Sequence, residues 1–503
     1  MVKTTRRADV LEKREIRLQY SGFMIFAAKI LSIATGLIFT LLITRNTTTS
    51  EFGVWGNIFD LVGYFTLLAA AIPFWSTRFV ARNKEGSTKT GLVANLIIGV
   101  ISTVFYIPLV PFITSALKVP QSYVYLYFIV SAQIIETYLI NQFEATLRAE
   151  RPQAVGYGLL VEEITKIVLA YVLIVRLQQP LTGAMVSLTI GLLLQILYYL
   201  KLVSSDLREN IKWNYLREWL KGSTVYIYGI IGNQISAVIF IMLFVFGGQV
   251  ARGDFEAAAT ISPIITYSSF LSFALYPRLL ARQNTDDVAG SLKLVLMFAI
   301  PMVAVTIAIP NSLLIMLKEQ YANAAPLLYI LAIDALVQTL WGFYQYVIFG
   351  VEKLDEKAAI PIGQLVKSDI FKVFTLSYVQ SAITLPIAYY VLTNFALGQP
   401  VRAAMYVAII IMVTRFAMFL FLYTLVRRTA RVVVPWANIG KYVSAAAIMG
   451  VALYVIPHPT RLTLILATAA AGGILYIALL LAIDKEARML IRSILQEIRG
   501  KFT

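Results

Sequence analysis

The chain has 503 residues, of which 59% are hydrophobic and only 14% are charged, and its formal net charge is +16. A soluble globular protein carries about 25% charged residues, so this composition predicts a membrane protein, whose basic residues set its orientation rather than bind nucleic acid. The absence of cysteine excludes disulfides, thiolate metal sites and thiol catalysis. With a single histidine, His458, a histidine-based metal site or catalytic triad is not expected either.

Apolar segments long enough to cross a bilayer recur from residue 21 to residue 483. We count about 14 spans, since a helix needs about 20 mainly apolar residues to cross the hydrocarbon core. The sequence therefore predicts an all-α polytopic membrane protein. The spans are expected near residues 21–44, 52–79, 91–117, 122–147, 155–177, 181–202, 223–247, 255–280, 291–317, 323–349, 371–394, 401–425, 433–456 and 462–483.

Most Lys and Arg residues fall on one side of this arrangement, which predicts that both termini lie in the cytoplasm. The expected location of the chain is the plasma membrane. The loops on the outer side are very short, and residues 248–254 form one of them. The sequence predicts the following organisation: a basic cytoplasmic N-terminus (1–20), an N-lobe of six spans (21–202), an amphipathic cytoplasmic linker (203–222), a C-lobe of six spans (223–425), two further spans (433–483) and an amphipathic cytoplasmic tail (484–503).

An arginine pair occurs twice at the end of a long apolar segment. The sequence RFVAR at residues 78–82 returns as RLLAR at residues 278–282. Six spans separate the two segments, and because six is even the two copies have the same orientation in the membrane. The sequence predicts two parallel six-helix lobes, related by a pseudo-two-fold axis along the membrane normal, with a substrate path between them.

Ionisable side chains at membrane depth are costly, at about 2.5–3.5 kcal/mol each on insertion scales, and usually face a cavity or a bundle interior. The candidates for such a cavity are Lys29, Asp60, Glu136 and Asp334. Four arginines near inner helix ends are also candidates, although anchoring at the membrane surface explains them as well. These are Arg78, Arg82, Arg278 and Arg282.

Other charges are spaced as local ion pairs along one helix. Glu162 with Lys166 and Glu144 with Arg148 are each four residues apart, which favours structural pairs. On the second span, a polar stripe of Asp60, Tyr64, Trp75 and Arg78 covers about one third of the helix circumference. Pro73 is expected to kink this helix.

Three segments resemble the polysaccharide-export flippases of the multidrug/oligosaccharidyl-lipid/polysaccharide (MOP) superfamily. The first is LLITR at residues 41–45, followed by SEFGVWG at residues 50–56 and the segment that ends at Arg78. The second, residues 317–325, is similar to the family's step with a tyrosine and, three residues later, an alanine, here Tyr321 and Ala324. The third is RAERP at residues 148–152. The resemblance covers residues 15–350.

The resemblance implies two six-helix lobes around a cationic cavity, in which a polyprenyl-linked glycan is turned over by alternating access. Arginine binds the phosphate or diphosphate of such a lipid well. Arg78 and Arg278 stand where the family's cavity arginines are expected, and the last two spans are similar to the lipid-portal helices of the lipid II flippase branch. Glycan-assembly enzymes are expected partners, and no cofactor is implied, with coupling to Na⁺ or H⁺ left open.

Two other functions remain possible from the residues. A cation-coupled small-molecule exporter of the same superfamily would use Asp60, Glu136 and Asp334, although such exporters usually have 12 spans. A glycosyltransferase or glycan polymerase would need catalytic acids on a large loop or a metal site on the outer face. The short outer loops argue against such an enzyme.

Overall fold

The structure, a computed structural model, describes residue 28 and residues 31–272, 286–351, 368–429 and 432–489. Within these ranges the chain is almost entirely helical and forms no strand. Among the described residues, ten helices are long and apolar enough to cross a membrane, as judged by length and composition. The predicted fold class, an all-α polytopic membrane protein, is therefore confirmed.

The chain forms two compact units, the first ending at Val245 and the second beginning at Phe246. The linker predicted at 203–222 stays a prediction. The division into parallel lobes stays a prediction.

The first unit contains these helices in chain order: α1 (Leu31–Asn46), α2 (Thr49–Phe65), α3 (Ala71–Ala81), α4 (Ser87–Ala116), α5 (Val124–Ile129), α6 (Ser131–Glu150), α7 (Pro152–Ala170, continued as a π-helix by Tyr171–Arg176), α8 (Pro180–Leu202), α9 (Trp213–Gly222), α10 (Thr224–Ser236) and α11 (Val238–Met242). The second unit contains α12 (Gly248–Ile261), α13 (Pro263–Thr266), α14 (Asp286–Ala308), α15 (Pro310–Leu317), α16 (Ala325–Val351), α17 (Asp369–Asn394), α18 (Pro400–Thr429), α19 (Trp436–Val455) and α20 (Leu462–Ile483).

Each predicted span coincides with one or more of these helices. The helices from α10 to α13 lie in a run of 44 residues, Tyr226–Ser269. At about 1.5 Å per residue such a run would extend about 66 Å, twice the thickness of the hydrocarbon core. Gly248, whose φ of 89° is left-handed, interrupts it, so the run corresponds to two spans. The outer loop predicted at residues 248–254 is wrong, since those residues already belong to α12.

The second predicted span is broken, because a turn at residues 66–70 separates α2 from α3. Pro73 follows in the first turn of α3, where it has no N–H to donate to the carbonyl of Ala69. The side chain of Asn95 on α4 donates to that carbonyl at 3.1 Å and to the carbonyl of Tyr138 on α6 at 2.8 Å. Asn95 thus supplies the hydrogen bond that Pro73 cannot donate to this carbonyl.

Two hydroxyl groups satisfy further backbone carbonyls around this break. Tyr138 donates to the carbonyl of Phe65 at 3.1 Å, and Ser223 donates to the carbonyl of Ala71 at 3.0 Å. Backbone polar groups at membrane depth must be paired within the protein, since lipid offers no partner. These side chains therefore allow the break in the predicted second span.

Replacing Asn95 with alanine is expected to lower the free energy of unfolding by about 1–3 kcal/mol, because it leaves a buried carbonyl unpaired. The thermal unfolding midpoint of the detergent-solubilised protein measures the effect. Asn394→Ala is the matched control, since the exposed Asn394 amide donates within its own helix, to the carbonyl of Tyr390 at 2.8 Å and to the hydroxyl of Thr393 at 3.2 Å. Equal midpoints for the two variants would contradict the assigned role of Asn95.

The last two helices pack on α14 within the second unit. The buried hydroxyl of Tyr476 on α20 donates to a carbonyl of α14 at 2.8 Å. After α20, Asp484 forms an ion pair with Lys441 of α19 at 3.2 Å, and Glu486 forms one with Lys293 of α14 at 2.8 Å. These contacts fix the C-terminal helix pair to the rest of its unit.

Candidate functional site

Arg78 lies among aromatic rings on the short helix α3. Its guanidinium carbon is 4.3 Å from the centroid of the Phe74 ring and 4.7 Å from that of Trp75. Phe74 in turn stacks on Tyr226 of α10, with centroids 5.0 Å apart and planes at 11°. Cation–π contacts fix the orientation of a guanidinium group, which stays protonated at physiological pH. The site therefore holds an oriented positive charge on a helix that begins at a break in a membrane span.

The break also corrects the predicted polar stripe on the second span. Asp60 and Tyr64 lie on α2, whereas Trp75 and Arg78 lie on α3. The four side chains are therefore not on one continuous helix face. The hydroxyl of Tyr64 donates to the carbonyl of Gln234 on α10 at 3.2 Å, so it contributes to helix packing.

The remaining arginine and lysine candidates lie either at a helix end or outside the described residues. Arg82 is exposed at the C-cap of α3. Lys29, Arg278 and Arg282 lie outside the described residues. Of the two predicted arginine pairs, only the first can be placed.

Glu136 on α6 is a buried carboxyl group at membrane depth. Its side chain is 7% exposed, and within the described chain its Oε2 atom has no hydrogen-bond partner. Gln133, one turn earlier on α6, donates to Thr189 of α8 at 3.0 Å and to the carbonyl of Met185 at 3.3 Å. A buried carboxyl without a partner is costly, so Glu136 is better suited than Gln133 to exchange a proton or a cation.

Three charged residues of α7 form a buried cluster with α1. The Lys166 ammonium is 2.9 Å from Oε1 of Glu162 and 2.8 Å from Oε2 of Glu163. On α1, the hydroxyl groups of Ser32 and Thr35 donate to the carboxylate of Glu163 at 2.5 and 2.6 Å. The predicted structural pair of Glu162 and Lys166 is confirmed, and it also ties α7 to α1.

Replacing Lys166 with methionine is expected to lower the free energy of unfolding by about 3–5 kcal/mol, because two buried carboxylates lose their counter-charge. The predicted pair of Glu144 and Arg148 is also present, at 2.6 Å, but Arg148 is 59% exposed. Arg148→Met is the matched control, with an expected loss of about 0.5 kcal/mol or less. Denaturant unfolding of both variants checks the contrast, and similar losses would contradict it.

In the second unit, Asp334 of α16 accepts a hydrogen bond from Arg415 of α18 and forms an ion pair with it. Asp334 is 6% exposed, and its Oδ1 atom has no hydrogen-bond partner among the described residues. Asp334, which we predicted to line a cavity, therefore has the guanidinium group of Arg415 as its counter-charge. Its contact with substrate stays a prediction.

An apolar groove of about 440 Å³ lies between α14, α16 and α19 in the second unit. Because its polar groups are few, the groove suits an alkyl chain better than a polar ligand. Its lining residues are Ala304, Ile307, Ala308, Tyr329, Ala446, Ala447, Gly450, Val451 and Tyr454.

Neither a protein-family model nor a curated protein sequence matches the chain. Among solved structures, the chain is similar to an inward-facing multidrug resistance MATE family transporter of the MOP superfamily. The TM-score is 0.62 at 14% identity, and the match covers 80% of this chain and 95% of that chain. The chain is also similar to the lipid II flippase MurJ in an inward closed conformation. The TM-score is 0.62 at 14% identity, and the match covers 93% of this chain and 100% of that chain.

A third similar structure is a MOP superfamily transporter from Pyrococcus furiosus, described as having a binding pocket of reverse polarity that suggests a different function. Its TM-score is 0.52 at 14% identity, with 82% of this chain and 95% of that chain covered. Together these similarities show that the chain has the fold of MOP-superfamily transporters. Among the residues that the structure describes, no cluster of three His, Asp or Glu side chains could hold a metal ion.

Proposed function

We propose that this protein moves a lipid-linked oligosaccharide from the inner to the outer leaflet of the cytoplasmic membrane by alternating access. The lipid would be a polyprenyl phosphate or diphosphate, and the glycan would serve surface polysaccharide or glycoprotein assembly. Arg78 carries the proposal, because an oriented guanidinium group can bind a phosphate oxygen pair bidentately. Its position after a broken membrane helix is typical of binding sites in transporters.

Two further observations support a lipid substrate. The apolar groove beside α19 could take part of a polyprenyl chain, since it is lined almost entirely by apolar side chains. The similarity to the lipid II flippase extends over 93% of this chain, whereas the similarity to the first MATE transporter extends over 80%. The proposal requires no cofactor, and glycan-assembly enzymes would be its partners.

A second candidate function is cation-coupled export of small molecules. Glu136 favours it, because a buried carboxyl group without a hydrogen-bond partner could bind a proton or a cationic substrate. In that case the acid, and not Arg78, would be the core of the site.

Two measurements on the purified wild-type protein separate these functions. Native mass spectrometry should show retention of a polyprenyl diphosphate disaccharide. Liposomes that contain the protein and an imposed Na⁺ or H⁺ gradient should show no gradient-dependent efflux of ethidium. Efflux that disappears in Glu136→Gln, together with no retention of the glycolipid, would instead establish the exporter.

A further inference from the structure

The short helix α9 presents three different faces to its surroundings. Tyr215 and Trp219, one turn apart, pack on Phe79 of α3, with ring centroids 5.1 and 5.4 Å away. At about 100° per residue, Trp213 and Leu220 share a neighbouring face of the helix. Trp213 is 54% exposed and Leu220 is 47% exposed.

Basic residues follow directly on the next sector of the helix. Arg217 and Lys221 are exposed and lie within about 80° of Trp213. An exposed apolar face that borders a basic face is the arrangement of helices that lie in a membrane interface. We call Trp213, Leu220, Arg217 and Lys221 the α9 surface.

The helix is also fixed to the rest of its unit at both ends. Before it, the backbone N–H of Lys212 donates to the hydroxyl of Thr90 on α4 at 2.8 Å. After it, Ser223 donates to the first carbonyl of α3, that of Ala71, at 3.0 Å. These hydrogen bonds join the two ends of α9 directly to α4 and α3.

We propose that the α9 surface binds anionic phospholipid headgroups, and that this binding sets the position of α3. Exposed aromatic and aliphatic side chains would enter the interface while two cations meet the headgroup phosphates, so the partner is an anionic lipid surface and not a protein. Trp219 contacts Phe79, the residue after Arg78, and belongs to the same apolar cluster as Trp75. Lipid binding at α9 therefore reaches the guanidinium group of Arg78. The consequence for transport rests on the proposed function, whereas the binding does not.

Single-cysteine labelling tests the binding, since the natural chain has no cysteine. Leu220→Cys and Glu218→Cys, labelled with a polarity-sensitive fluorophore, would be compared in vesicles of phosphatidylglycerol with phosphatidylcholine and of phosphatidylcholine alone. Glu218 is exposed and lies about 160° around the helix from Leu220. With phosphatidylglycerol the Leu220→Cys probe should shift to an apolar environment and be quenched by doxyl lipids, while the Glu218→Cys probe should not. A shift without doxyl quenching would mean a protein contact and overturn the proposal.

Removing the two positive charges of the α9 surface tests whether they bind the lipid, and removing two arginines elsewhere is the matched control. Each basic residue near an anionic surface contributes on the order of five-fold, so Arg217→Gln/Lys221→Gln should weaken the lipid response on the order of twenty-five-fold. Arg427→Gln/Arg428→Gln, which removes two exposed arginines from the end of α18, should leave it unchanged. Equal weakening in both double variants would contradict a specific surface on α9.

The coupling to α3 has its own readout. The reactivity of Thr77→Cys towards a water-soluble thiol reagent should depend on phosphatidylglycerol in the wild-type background and lose this dependence in Arg217→Gln/Lys221→Gln. Lipid-independent reactivity would overturn the coupling. Both readouts use no transport substrate, so a failure to bind glycolipid would count against the proposed function and leave this inference standing.

Discussion

Replacing Arg415 with methionine is expected to lower the free energy of unfolding by about 3–5 kcal/mol, because it leaves a buried carboxylate without its counter-charge. Asp334 and Arg415 pair across two helices that pack along one another, and Asp334 is almost fully buried. Denaturant unfolding of the detergent-solubilised protein measures the loss. Arg402→Met on the same helix is the control and should be nearly neutral, since Arg402 is exposed.

The double variant Asp334→Asn/Arg415→Met separates a structural pair from a binding site. Removing both charges abolishes the unpaired carboxylate, so most of the lost stability should return. A double variant as unstable as Arg415→Met would contradict the ion-pair account. Normal stability in Arg415→Met alone would mean that Asp334 does not depend on this arginine.

Replacing Arg78 with glutamine is expected to weaken binding of a polyprenyl diphosphate by about 10- to 150-fold. A hydrogen bond to a charged group is worth about 1.5–3 kcal/mol, and each 1.4 kcal/mol is a factor of ten. Arg78→Lys should have an intermediate affinity, since it keeps the charge and loses the bidentate geometry. The ligand-induced rise in unfolding temperature, measured over a range of ligand concentrations, gives the affinities.

The exposed Arg82 provides a comparison within the same helix. Arg82→Gln should lose much less affinity than Arg78→Gln, because Arg82 lies at the helix end without the ring contacts that orient Arg78. Equal losses would indicate a diffuse positive charge, and unchanged affinity in Arg78→Gln would remove the phosphate-binding role.

The spans and the charge pairs within one helix could be predicted from the sequence, since the length of an apolar segment and a four-residue spacing are local signals. The pairs of Glu162 with Lys166 and Glu144 with Arg148 are confirmed for that reason. The amphipathic linker at 203–222 stays a prediction, within which Trp213–Gly222 form the helix α9.

Ion pairs and hydrogen bonds between different helices could not be predicted from the sequence. Asp334 and Arg415 lie on different helices, and no local pattern joins them. The sequence predicted a kink at Pro73, but the helix breaks before this residue, and Asn95 pairs the carbonyl of Ala69 to which Pro73 cannot donate. An asparagine within an apolar span was the available signal for that role. The arrangement of the two arginine repeats stays a prediction.

Transbilayer movement of a fluorescent polyprenyl diphosphate oligosaccharide in liposomes tests the central claim most directly. A membrane-impermeant quencher reports how much of the lipid has reached the outer leaflet. The wild-type protein should accelerate the movement well above protein-free liposomes, and Arg78→Gln should return the rate close to theirs while Arg402→Gln keeps it. A wild-type rate equal to that of protein-free liposomes, with folded protein in the bilayer, would contradict the claim.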